Sequence, residues 1–155
     1  MINNDVLRSI RYMLDLSDIK LVQITQLSEV DFPLEKADVL SYLKKDDDPD
    51  YLPCPDLMMA HFLDGLVVHC RGASPNATPR PPVARITNNV VLKKLRVAFE
   101  LKDADMHQAF LDAGFPVSKP ELSALFRQAE HRNYRPCGDQ MLRNFLKGLT
   151  LRARS

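Results

Sequence analysis

Cys54 and Asp56 stand two residues apart in Cys-Pro-Asp, and Cys137 and Asp139 stand two apart in Cys-Gly-Asp. A thiol at a helix start has a lowered pKa, and a thiolate with a neighbouring base is a nucleophile. That chemistry requires a base beside each thiol, and no histidine recurs with the pair. Each aspartate is therefore expected to satisfy free amides at a helix start, and each cysteine to pack as a small apolar residue. No catalytic set is expected.

Metal and phosphate chemistry are equally poorly supplied. Cys54, His61, His69 and Cys70 match no zinc spacing, and the corresponding later positions hold Asn144, Arg152 and Ala153 in place of three of them. A chain with five glycines has no glycine-rich phosphate loop. No metal and no cofactor are expected.

The Cys-x-Asp pairs belong to a longer repeated string. "DYLPCPDLMMAHFLDGL" at 50–66 is answered by "NYRPCGDQMLRNFLKGL" at 133–149, so that Cys54, Asp56, Phe62 and Gly65 recur as Cys137, Asp139, Phe145 and Gly148. Residues 3–25 align at an offset of 85 and residues 32–71 at an offset of 83, giving 21 identities over 63 positions. The chain thus reads as a tandem repeat: residues 1–72, a linker at 73–85 carrying Pro75, Pro79, Pro81 and Pro82, and residues 86–155.

Apolar residues return every three or four positions and nowhere alternate, so each copy is expected to hold four helices. Val6, Leu7, Ile10, Met13 and Leu14 form one apolar face, matched by Val91, Leu92, Leu95, Ala98 and Phe99. Asn3 and Asn88 are expected to cap this first helix, and Asp18 and Asp103 to open the second. Gly114 is placed to stop the second helix of the later copy, and Ser118 with Glu121 spells a capping box for the third. The first copy has Glu35 in place of that serine, a weaker cap. The fold class is all-α, with two four-helix repeats about a pseudo-twofold axis. Glycine inside a helix costs about 1 kcal/mol relative to alanine and is usually offset by close backbone approach. The last helices are therefore expected to cross near Gly65 and Gly148. Arg11 and Arg96 are either buried partners of Asp56 and Asp139 or surface residues.

Net charge of +1 conceals a division: residues 1–72 hold 7 Lys and Arg against 13 Asp and Glu, residues 73–155 hold 14 against 7. Arg127, Arg132, Arg135, Arg143, Lys147 and Arg154 cluster at the end of the second copy, where Arg143, Lys147 and Arg154 share one helical face. They are candidates for binding phosphate or an acidic partner, or for attracting the acidic copy in the fold or in a dimer. The stretch 103–128 also has a helix, a glycine turn and a capped helix, as DNA-reading modules do. Its would-be reading helix offers only Lys119 and Arg127, and Pro120 stands where such helices prefer an aliphatic residue.

Three cysteines without framework spacing, no run of ~20 apolar residues and no signal-like start imply a cytoplasmic protein with no membrane contact. The paired "NN-x-V-L" starts and "C-x-D-x-M-x-x-x-F-L-x-G-L" ends resemble the YehS-like bacterial family, a tandem domain of unknown function (DUF-1456). The resemblance covers Asn3 to about Arg154 and implies no established activity or partner. The expected function is that of a non-enzymatic binding or adaptor module for a protein partner or a second copy of itself. The alternative is a nucleic-acid-binding regulator using the basic copy.

Overall fold

The computed structural model describes residues 1–72 and 85–155, and the expected linker falls, apart from Arg85, outside them. Among the described residues eight helices follow in order: α1 (Asn3–Leu14), α2 (Asp18–Ser28), α3 (Lys36–Leu43), α4 (Asp56–Arg71), α5 (Asn88–Ala98), α6 (Asp103–Asp112), α7 (Lys119–Leu125) and α8 (Asp139–Ala153). Among the described residues there is no strand. The protein is two tandem four-helix repeats, α1–α4 and α5–α8, related by a pseudo-twofold axis.

Amphipathic periodicity places α1 and α5. Val6, Leu7, Ile10 and Met13 are buried on α1, and Val91, Leu92, Leu95 and Ala98 on α5, while Leu14 and Phe99 are half-buried. Asn3 and Asn88 are not the caps: each is the first helical residue. Ile2 precedes α1 without a capping side chain, and Thr87 caps α5 by accepting from the Val90 amide at 3.2 Å. Both helices end alike. Asp15 and Glu100 adopt φ of 53°, and the next residue's amide returns to the Arg11 or Arg96 carbonyl at 3.0 Å. Arg11 then faces Asp18 at 3.6 Å and Arg96 pairs with Asp103 at 2.6 Å, so neither arginine serves Asp56 or Asp139.

The turns follow their local signals. Asp18 and Asp103 begin α2 and α6. Gly114, with φ of 75°, ends α6 as the Phe115 amide reaches the Phe110 carbonyl at 2.9 Å. Ser118 and Glu121 form the capping box of α7. At α3 the Glu35 amide donates instead to the Asp38 carboxylate at 3.0 Å.

The helix crossings correct one expectation. Gly65 and Gly148 are buried against backbone, but a Cβ at Gly65 would strike the Ile24 carbonyl, and one at Gly148 the Ala109 carbonyl. Each glycine therefore lets the last helix of a repeat cross the second helix of the same repeat, α4 on α2 and α8 on α6. The repeats meet elsewhere. α1 packs along α8, and α5 along α4, more extensively than either packs on the last helix of its own repeat. First helices are thus exchanged between the repeats. A single apolar core runs through both, with Phe62, Phe110 and Phe145 fully buried.

Candidate functional site

The repeated Cys-x-Asp segments lie at the starts of α4 and α8, and the repeated Asn-Asn dipeptides are their partners. Asn4 Nδ2 donates to the carbonyls of Tyr42 (3.0 Å) and Leu52 (2.8 Å), and its Oδ1 accepts from the Cys54 amide at 2.9 Å. Asn89 reproduces every bond: Nδ2 to the carbonyls of Leu125 and Arg135, both 3.0 Å, and Oδ1 from the Cys137 amide at 2.8 Å. The neighbouring asparagines reach one step further. Asn3 Nδ2 donates to the Cys54 carbonyl (3.0 Å) and the Asp56 carboxylate (2.7 Å), and Asn88 to the Cys137 carbonyl (2.9 Å) and Asp139 (2.8 Å). Each Asn-Asn pair ties the start of its repeat to the loop that launches the last helix.

The aspartates also look across to the other repeat. Asp56 accepts from the Ile86 amide at 3.3 Å, and Asp139 accepts from the Met1 amino nitrogen. Met1 and Ile86 are equivalent positions, so one contact occurs twice. The Met1 amino group, then the Asn88 amide, hold the Asp139 carboxyl below the usual carboxylate range.

The thiols are placed for packing. Cys54 and Cys137 are 6% and 5% exposed, and the Cys54 thiol points at Met58 Sδ, 3.3 Å away. Burial pushes the Cys54 thiol up to about 12 and Cys137 to about 11, the opposite of what a nucleophile needs. Cys70 is exposed near the far end of α4. Phe62 and Phe145 lie in the core, the latter 5.2 Å from Phe110.

One cluster escaped the sequence analysis. His61, 5% exposed, has Nδ1 at 3.1 Å from Ser28 Oγ and Nε2 at 3.3 Å from Glu29 Oε2, with the Phe32 ring 4.4 Å away. A hydroxyl, an imidazole and an orienting carboxylate are the parts of an acyl-transfer triad. Ser28, however, ends α2, where the unsatisfied groups are carbonyls, and its Oγ also faces the carbonyls of His61 (3.2 Å) and Thr25 (3.3 Å). The groups that Ser28 Oγ faces there are acceptors, whereas acyl transfer needs N–H donors at the developing oxyanion. The cluster clasps α2 to α4. Ser28 and Glu29 lie in the stretch where the two copies do not align, so comparing the copies could not reveal them.

The basic residues differ in their partners. Arg127 donates to the Asn133 carbonyl at 3.0 Å, and Arg135 pairs with Glu121 at 2.6 Å. Arg154 donates to the Tyr12 carbonyl at 2.8 Å and lies over the Tyr12 ring at 4.3 Å, across the boundary between repeats. Its equivalent, Arg71, pairs with Glu100 at 3.2 Å, again across that boundary. Arg132, Arg143 and Lys147 are exposed and in no ion pair among the described residues. In the 103–128 stretch, α7 is only seven residues long and buries Leu122, Ala124 and Leu125.

The family model described as "Protein of unknown function (DUF1456)" matches residues 3–72 and again 88–155, the same two repeats that carry the asparagine and Cys-x-Asp joints. The chain belongs to this family. It is 43% identical over 152 residues to the "Uncharacterized protein YehS" of Escherichia coli (strain K12), covering 98% of this chain and 96% of that protein. No solved structure matches the chain.

Proposed function

We propose that the protein is a non-enzymatic, cytoplasmic binding module that recognises a protein partner through its first repeat. One observation carries this reading. At four matched surface positions the first repeat exposes Ile2 (53%), Leu40 (42%), Leu52 (49%) and Leu57 (52%), where the second exposes Thr87, Ser123, Arg135 and Gln140. The shared scaffold does not demand those apolar side chains, because the second repeat manages without them. Exposed apolar groups that folding does not require are a feature of interaction surfaces. Ile2 also lines a shallow groove of about 280 Å³ with Tyr51, Pro53, Asp56 and Ile86. The loop beside it exposes Asp46, Asp47 and Asp50. Apolar contact beside acid suits a partner segment that mixes apolar and basic residues, and it repels nucleic acid.

The test exchanges residues between repeats. Leu52→Arg with Leu57→Gln installs side chains the scaffold already carries at 135 and 140, so folding is preserved. The protein with these leucines intact, photo-crosslinked in cells from position 36, one turn before Leu40, should capture a discrete partner that the double variant loses. Equal capture by both would overturn this reading.

A second reading rests on Arg143 and Lys147, exposed one turn apart on α8. In it the second repeat binds nucleic acid through phosphate contacts, so binding falls steeply with salt. Arg143→Glu with Lys147→Glu should abolish that binding. Absence of binding in wild type at low salt removes the reading.

A further inference from the structure

We propose that the boundary between the repeats is exchangeable between molecules, so that two copies form a dimer in which repeat one of each closes against repeat two of the other. The inference is independent of the partner proposed above. Neither repeat closes its own core, because α1 lies along α8 and α5 along α4. What each repeat presents to the other is therefore a surface built for a complementary repeat, and a second copy carries the same complement.

Equivalent residues reach across the boundary from both repeats. The Met1 nitrogen to Asp139 matches the Ile86 amide to Asp56, and the equivalent arginines Arg154 and Arg71 cross to different partners, Tyr12 and Glu100. The Met1 nitrogen also donates to Asn88 at 2.9 Å. Between α4 and α5 there is one further contact, Asp64 to Lys94 at 2.6 Å, with both side chains under a third exposed. Charge chooses the pairing: residues 1–72 carry 13 acids against 7 bases, so two first repeats repel, whereas a first and a second repeat attract. The covalent connection across the boundary is the segment 73–84. Joining both repeats in one chain makes their closure intramolecular, which keeps the closed monomer favoured in dilute solution. When identical contacts form within or between chains, exchange is a low-cost route to a dimer.

The test uses two full-length variants, Asp64→Lys and Lys94→Asp. Each places like charges at its own boundary, two ammonium groups in the first variant and two carboxylates in the second. Exchange between the two restores an opposite-charge pair at both boundaries of a mixed dimer. The variants are unfolded together, refolded at ~0.5 mM so that closure between chains competes with closure within one, and weighed by native mass spectrometry. Mixed dimers at twice the 17.6 kDa of one chain should predominate, with each variant alone and the Asp64→Lys/Lys94→Asp double variant chiefly monomeric. If a lone variant fails to fold, recovery of helical circular dichroism on mixing reports the same exchange. A mixture that contains only monomers, or no gain in helicity over the separate variants, overturns the proposal.

Discussion

Asn4 Oδ1 accepts from the Cys54 amide at 2.9 Å, and 85 residues later Asn89 Oδ1 accepts from the Cys137 amide at 2.8 Å. Asn4 is only 3% exposed, and its side-chain amide also answers two carbonyls. Asn4→Ala leaves the buried Cys54 amide and two part-buried carbonyls without this partner, an unpaired buried group costing about 1–3 kcal/mol. A loss of roughly 3 kcal/mol or more is expected in urea denaturation. Asn89→Ala, at a half-exposed site that water can enter, is expected to lose about 1–2 kcal/mol.

Thiol accessibility separates packing from chemistry. In the native protein DTNB should titrate one cysteine, Cys70, and all three only after unfolding. The folded-state pKa values of Cys54 and Cys137 are raised from the ordinary 9.0 to about 12 and about 11. The unfolded state therefore loses these protons first as pH rises. Their contribution is complete below pH 9 and is lost between pH 9 and the folded values. Thermal melts should show alkaline destabilisation above about pH 9 that Cys54→Ala/Cys137→Ala reduces.

Asp15 and Glu100 each end a first helix at φ of 53°, a region glycine enters freely and other residues enter at a cost. Asp15→Gly should raise stability by about 0.5–1 kcal/mol, since the strain relieved exceeds the entropy glycine adds to the unfolded chain. Glu100→Gly also removes the contact with Arg71, so its gain should be smaller. Chemical denaturation of the two variants side by side reads the difference, and equal gains would mean that the Arg71 pair contributes nothing.

Gly65→Ala sets a methyl against the Ile24 carbonyl, and Gly148→Ala against the Ala109 carbonyl. Backbone cannot yield as a flexible side chain does, so the helices must separate. Each variant should lose ~3 kcal/mol or more. A melting temperature indistinguishable from wild type in either case would contradict the crossing described.

Much of the fold was legible because it is written twice. Gly114, the Ser118 and Glu121 box, and Asp18 with Asp103 act through neighbours within a few residues, and local signals suffice for those. Asn3 and Asn88 misled for the same reason: asparagine before an apolar face is a strong cap signal, while its true partners lie some fifty residues onward. Their recurrence together with Cys54 and Cys137 was the clue to the joint. Helical periodicity also established that α1 and α5 bury one face. It is silent on which repeat supplies the covering helix, so Gly65 and Gly148 read in sequence as a crossing of α4 with α8, whereas each serves the crossing with the second helix of its own repeat. The Ser28, Glu29 and His61 clasp was invisible because it exists in one copy alone.

Exchange of the first helices also sets an order of events during synthesis. α1 ends at Leu14 and its covering helix begins at Asp139. A ribosome adding about 5–20 residues per second takes roughly 6–25 s to cover that distance. Throughout that interval α1 has α3 and α4 beside it but lacks its most extensive partner, so nascent chains should carry a partly uncovered apolar face, a site for chaperone capture that vanishes only when α8 emerges.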